Sequence, residues 1–408
     1  MQCGLLGRTL GHSYSPQIHG LLASYAYDLF ETEPEDVAHF LKSGRFQGLN
    51  VTIPYKQTVI PYLDELSPVA KALGAVNTIV RREDGSLIGH NTDYFGFSYL
   101  LRASGLDVSG KKVLVLGTGG ASKPVTAVLR EAGAQVVSIS RSGEDNYDNL
   151  SRHCDARLIV NTTPVGMYPG NGAAPLHLAG FPKLEGVLDI IFNPARTALL
   201  LEAEERGLIA MGGLRMLVAQ AKESSEWFMG STIPDEKIDE IHHRLTTQMQ
   251  NIALIGMPGC GKSTIAALLG QALHRDVVDG DRAIVDLAGK SIPEIFAQDG
   301  EDAFRRLETQ ALTALGKASG TVLATGGGCV TREENYPLLH QNSQIFWLQR
   351  ELHTLPTDGR PLSQAGSLEA MYEVRKPLYA RFADHIIDNN GTPEETLGAI
   401  LTALEETL

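Results

Sequence analysis

Several α/β lobes built on parallel sheets are the fold class that the sequence predicts, and three observations predict it. Strand-like and helix-like segments alternate along almost all of the 408 residues. Many of the strand-like segments are short, continuous apolar runs, as strands covered on both faces should be. Two of them, ending at Gly117 and Gly256, run straight into glycine-rich turns followed by helical sequence. In order, the runs fall at residues 48–53, 112–117, 135–140, 157–161, 186–191, 251–256 and 321–325. At roughly 100–200 residues per domain, the length allows two to four domains. The clearest break lies at 246–250, after an amphipathic polar helix over 234–245 and before a fresh strand at Asn251.

Composition narrows the class. Hydrophobic residues make up 43% and charged residues 20%, which excludes wholesale disorder. Glycine is in excess, 42 residues against a usual ~7%, and with no period of three to absorb it the surplus belongs in tight turns and phosphate-approaching loops. Lysine plus arginine (35) against aspartate plus glutamate (48) gives a net charge of −13, so nucleic acid is not expected as a partner. No run reaches the ~18 apolar residues of a membrane span, and residues 1–10 lack the basic-then-apolar pattern of a secretory signal. The expected location is therefore cytoplasmic, with no membrane partner. Cys3, Cys154, Cys260 and Cys329 form no C-x-x-C pair and are expected as buried thiols. Nothing in the sequence specifies an oligomeric state.

In the first half, KVLVLG leads into Gly117, Thr118, Gly119, Gly120, Ala121 and Ser122, with a helix expected over 123–131. Such glycines let a pyrophosphate reach the backbone, and the helix N-terminus attracts it. The next strand ends in Ser140, Arg141 and Ser142. A carboxylate there would suit the ribose hydroxyls of NAD; an arginine between two hydroxyls suits a 2′-phosphate, so NADP is preferred. Glu144 and Asp145 follow and make the pocket less basic.

Four polar blocks precede this turn: Ser13 and Ser15 at a helix start, Thr52 and Lys56 after a strand, Asn77 in GAVNT, and Asn91 with Asp93 in GHNTD. Taken singly they are helix caps, turn asparagines and a solvated lysine. Together with the 117–122 turn, the NTTPVGM block at 161–167 and the segment 213–220, they resemble shikimate dehydrogenase over residues 1–245. That resemblance implies NADPH-dependent reduction of 3-dehydroshikimate to shikimate. It makes Lys56 the general acid/base with Asp93 to orient it, Ser13 and Ser15 the carboxylate holders, and Thr52, Asn77, Asn91 and Gln220 the readers of ring hydroxyls. Gly213 joins the cofactor-binding set. Tyr55 and Phe192 stand where the family often has His and Tyr, and a second basic residue often found after residue 142 is missing.

The second half opens with a strand running into Gly256-Met257-Pro258-Gly259-Cys260-Gly261-Lys262-Ser263-Thr264 and a helix to about Leu273. This fits G-x-x-x-x-G-K-[ST] in its strand–loop–helix setting. The loop N–H groups cradle phosphate, Lys262 reaches the β/γ phosphates, and Ser263 supplies a Mg²⁺ ligand. Asp279 and Asp281 follow a short strand, Arg305 and Glu308 share a helix face three residues apart, and Gly326, Gly327 and Gly328 end another strand. A surface ion pair is the plain reading of Arg305 with Glu308. Arg360 (in GRPL) and Arg375 (in RKPLY) complete the set. These blocks resemble shikimate kinase over residues 251–402.

That second resemblance implies γ-phosphoryl transfer from ATP to the 3-hydroxyl of shikimate. Asp281 addresses the hydroxyl and Asp279 the Mg²⁺. Arg305 and Arg375 clamp the carboxylate, Lys262 and Arg360 face the phosphoryl group, and residues 326–328 line the substrate. The stretch before Arg360 is shorter than the usual lid. The expected organisation is a substrate lobe (1–104 with 215–247), a Rossmann dinucleotide lobe (105–214) and a P-loop kinase domain (250–408). The partners are small molecules, 3-dehydroshikimate and shikimate. Two alternatives stay open: one half serves only as a binding or regulatory module, or the first half acts on quinate.

Overall fold

A computed structural model describes residues 1–11, 13–355 and 367–406. They fall into two compact units, one of Met1–Met167, Ala173–Asn193 and Glu202–His242, the other of Tyr168–Gly172, Pro194–Leu201 and His243–Leu408.

The first unit contains two sheets. One is mixed: β1 (Gln2–Gly7), β2 (Ala26–Glu31), β3 (Gly48–Val51), β4 (Glu65–Leu66), β5 (Thr78–Arg81) and β6 (Leu87–His90) stand in the order β2-β1-β3-β5-β6-β4. Its β3–β5 and β5–β6 pairs are antiparallel and the others parallel. The second sheet is wholly parallel, with β7 (Lys112–Leu116), β8 (Gln135–Ile139), β9 (Leu158–Asn161), β10 (Gly186–Asp189) and β11 (Ile209–Met211) in the order β11-β10-β9-β7-β8. Chain direction across this sheet reverses beside β7, which opens a crevice beyond its carboxyl end. Val113, Val115, Leu158, Val160 and Leu188 form its core with Val125, Val128 and Leu129 of helix Ser122–Glu131.

In the second unit β12 (Asn251–Ile255), β13 (Val277–Asp279), β14 (Val322–Ala324), β15 (Ser343–Gln349) and β16 (His385–Asp388) form a parallel sheet ordered β13-β14-β12-β15-β16. β12 is buried along its whole length between β14 and β15, so the loop after it emerges at the sheet's switch point.

Differences from the expected boundaries are small and have local causes. The run expected to reach Gly117 leaves the sheet after Leu116 because Gly117 takes φ +99°. The helix expected over 234–245 instead spans Glu236–Met249, one turn past Leu245, the last residue of its buried stripe of Ile238, Ile241 and Leu245. No linker therefore precedes β12. Helix Ile292–Leu315 is interrupted at Gly300 (φ 80°, ψ 174°). Cys3, Cys260 and Cys329 are buried, but Cys154 is exposed, against expectation, on the turn before β9.

Two buried histidines give the first unit a specific acid sensitivity. Burial holds His19 down to about 3 and His90 down to about 4, with Glu65 opposing the effect on His90 weakly. Both are neutral when folded, so the unfolded chain binds their protons first, and stability present above pH 6.5 is lost as pH falls through 6.5 towards about 4. The sequence has two tryptophans, and Trp227 stacks on His90 at 3.8 Å. In a Trp347→Phe variant, Trp227 fluorescence should report a midpoint of thermal unfolding that drops steadily across that window. A flat midpoint would contradict the neutral, buried state of these rings.

Candidate active sites

Lys56 follows β3 and Asp93 opens helix Asp93–Ser104, and tertiary packing brings them to one ion pair of 2.6 Å. The side chains retain 23% and 13% exposure, enough to leave the ammonium open to a ligand. Val76 N donates to Lys56 O (2.8 Å) and Asn77 N to His90 O (3.1 Å), which ties three of the predicted blocks side by side. Asn77 is buried; its Oδ1 accepts from Thr92 N (2.7 Å) and its amide donates to Thr92 Oγ1 (3.1 Å). The Asn91 amide donates to Ala75 O at 3.0 Å. Its Oδ1 is buried with no hydrogen-bond partner, an acceptor held ready for a ligand hydroxyl. Ser15 N donates to Ser13 Oγ (3.2 Å), so one hydroxyl is already oriented at the start of helix Ser15–Leu22. Thr52 lies directly after β3, its methyl against Gly7. Gln220, on helix Leu214–Met229, donates to Leu217 O (3.0 Å), and Thr92 Oγ1 lies 3.4 Å from its Oε1. Phe192 meets Tyr14 edge-on at 5.9 Å, beside the serine pair.

The glycine turn after β7 leaves Thr118, Gly119 and Gly120 exposed, with open space above both glycines. The helix that follows starts at Ser122 with no side-chain cap; Ser122 N and Oγ both donate to Gly119 O, at 3.1 and 2.7 Å, and hold the turn against the helix start, whose dipole favours an anion. Ala121 occupies the N-cap position. Ser140 begins the loop after β8 and bridges Asn146; Arg141 and Ser142 are exposed. Asp145, which threatened to oppose a phosphate there, is held by His153 (2.9 Å) and Arg152 (3.5 Å). Gly213 has a packing explanation: a Cβ there would lie 2.1 Å from Ile190 O.

In the second unit one cavity of about 880 Å³ gathers Gly259, Gly261, Lys262, Ser263, Thr264, Asp279, Asp281, Arg305, Arg375 and residues 326–328. Gly256 and Cys260 shape the loop from behind, with Cys260 fully buried. Lys262 Nζ donates to Gly256 O (2.9 Å) and Met257 O (3.1 Å). Ser263 Oγ donates to Asp279 Oδ2 (3.1 Å), while Asp279 Oδ1 caps helix Gly280–Ala288 through Arg282 N. Two hard oxygen donors thus adjoin the phosphate loop, the set that Mg²⁺ takes beside phosphate and water. The expected Arg360 lies outside the described residues.

Arg305 and Glu308 do not form the surface pair of the plain reading. They meet at 2.7 Å with side chains 6% and 3% exposed. Burial raises the Glu308 carboxyl, against the opposing pull of Arg305. The glycines at 326–328 are explained by space: a Cβ on Gly326 would lie 2.6 Å from Glu308 Oε1, and one on Gly328 2.2 Å from both Arg305 terminal nitrogens. Arg375 donates to Gly327 O (3.2 Å), as does the Tyr379 hydroxyl. Glu308→Ala leaves the buried Arg305 with only the half-exposed Glu301 at 3.2 Å, so the second unit should lose about 1.5–3 kcal/mol in urea unfolding followed by Trp347 fluorescence. A loss below about 1 kcal/mol would mean that water already screens the pair.

Sequence reasoning missed several residues that shape these sites. Asn389 donates to Cys260 O and so braces the phosphate loop from the end of β16; Arg350 and Thr354 line the same cavity. None carries a local motif, and only the sheet order brings them to the loop.

A glycine turn at a parallel-sheet crevice and a lysine–aspartate pair in one unit define a dinucleotide-dependent oxidoreductase; the phosphate loop with two arginines and an aspartate defines a small-molecule phosphotransferase. Comparison with known proteins gives both a family. Residues 5–79 match the shikimate dehydrogenase substrate binding domain and residues 258–405 match shikimate kinase. The shikimate dehydrogenase (NADP(+)) of Clostridium perfringens (strain SM101 / Type A) is 35% identical over 264 residues, which cover 59% of this chain and 97% of that enzyme. Among solved structures, shikimate dehydrogenase 1 from Peptoclostridium difficile is 38% identical with a TM-score of 0.55, over 60% of this chain and 97% of that one. The shikimate 5-dehydrogenase of Thermus thermophilus, solved with NADP(H) and shikimate, is 33% identical with a TM-score of 0.55, over 60% and 99%. The chain belongs to the shikimate dehydrogenase family and carries a shikimate kinase domain after it; it is a bifunctional enzyme of the shikimate pathway. No helix among the described residues is long and apolar enough to cross a membrane.

Proposed function

We propose that the two sites work in sequence, the first reducing 3-dehydroshikimate to shikimate and the second phosphorylating the shikimate 3-hydroxyl. The observation that carries this reading is the Lys56–Asp93 pair of 2.6 Å, in the same unit as the proposed readers Asn77, Asn91, Thr52 and Gln220. Reduction of a ketone produces an alkoxide that must gain a proton. Lys56 Nζ holds that proton, and Asp93 keeps the ammonium aimed at the oxygen. Ser13 and Ser15 bind the carboxylate. Asn91 Oδ1, buried without a partner, accepts a ring hydroxyl and disfavours analogues that lack it. Nicotinamide, when bound, supplies the hydride, with its pyrophosphate over Gly117, Thr118, Gly119, Gly120 and Ala121. The Ser140, Arg141 and Ser142 loop faces the 2′-phosphate, a reading supported by the neutralisation of Asp145.

In the kinase, positioning and charge neutralisation matter more than covalent chemistry. Asp281 orients the acceptor hydroxyl and takes its proton. Arg305 and Arg375 hold the substrate carboxylate, with Glu308 fixing the first of them. Lys262 neutralises charge on the transferring phosphoryl group, and Gly256, Gly259, Gly261 and Thr264 shape the cradle. Ser263 and Asp279 are suited to Mg²⁺, which supplies charge neutralisation between the phosphates. Free thiols support a reducing compartment such as the cytoplasm.

The test supplies 3-dehydroshikimate, NADPH, ATP and Mg²⁺, and follows NADPH loss and ADP formation separately. ADP should appear only when NADPH is present, because the ketone lacks the hydroxyl that accepts phosphate; ADP formation without NADPH would refute the order. Arg141→Ala should raise the KM for NADPH about tenfold, as expected for one charge-assisted contact at an exposed site, and leave that for NADH unchanged. Equal effects on both cofactors would remove Arg141 from the 2′-phosphate site.

A further inference from the structure

Each proposed substrate reader of the dehydrogenase has a buried polar neighbour close by in the chain. Asn50 precedes Thr52 on β3; Thr78 follows Asn77 on β5; Thr92 lies between Asn91 and Asp93; Ser224 sits one turn after Gln220. Their exposures are 5%, 0%, 1% and 0%. These four side chains meet at one point. Ser224 Oγ lies 2.8 Å from Asn50 Nδ2, 2.8 Å from Thr78 Oγ1 and 3.0 Å from Thr92 Oγ1, and it donates to Gln220 O at 2.9 Å. Asn50 Nδ2 also reaches Thr78 Oγ1 at 3.1 Å. On its other side, Asn50 Oδ1 accepts from the Tyr27 hydroxyl at 2.8 Å.

We propose that Ser224 and Thr78 are positioning residues for the reduction of 3-dehydroshikimate, the centre of a buried hydrogen-bonded hub that sets the relative placement of Asn77, Asn91, Asp93 and Gln220. The inference rests on the substrate reading given above. A hydroxyl offers one donor and two acceptor lone pairs; with its proton given to Gln220 O, Ser224 Oγ has two lone pairs for the three groups around it and is saturated. Loss of one member takes a partner from each of the others in a site closed to solvent and leaves the surrounding residues free to move. A site that reads hydroxyls by distance then loses fit and discrimination before it loses the proton donor.

The experiment uses the full chain, with kinase turnover as the internal measure of intact protein. Ser224→Ala and the near-isosteric Thr78→Val should each raise the KM for 3-dehydroshikimate about tenfold. The KM for NADPH should be unchanged and kcat should stay within about twofold, and the preference over an analogue lacking one ring hydroxyl should fall by a similar factor to the KM rise. Thr78→Ser restores the hydroxyl and should return the KM to wild type. In the double variant the two losses should not multiply, because both break the same hub. Unchanged KM in both single variants, multiplicative losses, failed rescue, or parallel damage to NADPH binding and thermal stability would each overturn the hub. Absence of 3-dehydroshikimate reduction by the wild-type chain would instead overturn the substrate reading beneath it.

Discussion

Replacing Lys56 by alanine should lower kcat for 3-dehydroshikimate reduction by about 10²–10⁴-fold, the usual contribution of a placed general acid, while shikimate phosphorylation by the same chain continues at the wild-type rate. Lys56 Nζ bonds Asp93 Oδ2 at 2.6 Å, and in the proposed reaction its removal takes away the proton that the alkoxide needs. Substrate binding should change far less, because the carboxylate holders and hydroxyl readers belong to other elements. Lys56→Arg should not rescue the rate: a guanidinium keeps the charge but does not release its proton. An alanine variant that oxidised NADPH at the wild-type rate would end the assignment. A rise in KM with unchanged kcat would recast Lys56 as a binding residue.

The second large effect belongs to Lys262. Lys262→Ala should reduce ADP formation by on the order of 10²–10³, comparable to the loss of one preorganised charge donor at a transition state, and leave NADPH oxidation untouched. Lys262 is 8% exposed and held by the carbonyls of Gly256 and Met257. A buried ammonium satisfied only by neutral carbonyls is poised for an anion, and a phosphate entering the loop gives it the stronger partner. Alanine also takes a donor from both carbonyls, of which Met257 O keeps Cys260 N at 3.2 Å, so the variant's unfolding midpoint should be measured beside its rate. Undiminished ADP release would remove the phosphate loop from the mechanism.

Much of the architecture was legible because it is encoded over short spans. The runs at 112–116 and 251–255 are apolar on both faces and end in glycines whose turns admit phosphate; any parallel sheet that uses them places those turns at its carboxyl edge. Boundaries were less legible. The helix before β12 runs to Met249, past Leu245, the last residue of its buried stripe, into the polar segment where the sequence places a domain break. Arg305 and Glu308 mark the same limit: their spacing suits a surface pair, but burial depends on residues 326–328, which approach from another strand.

The chemistry could be read from the amino-acid order, because the reacting residue types and the loops that present them are local. Lys56, Asp93, Lys262 and Asp281 carry their chemical capacities wherever the chain puts them, and the glycine turns that face phosphate lie within a dozen residues of their strands. Which of these groups meet is a property of the folded chain. The 2.6 Å pair of Lys56 with Asp93, the unpartnered oxygen of Asn91, the neutralised Asp145 and the four-way contact at Ser224 arise where separate elements pack together, some of them more than a hundred positions apart in the chain. Such contacts depend on strand order and helix packing, and distance and desolvation, which set the strength of every polar interaction, exist only once the chain has folded.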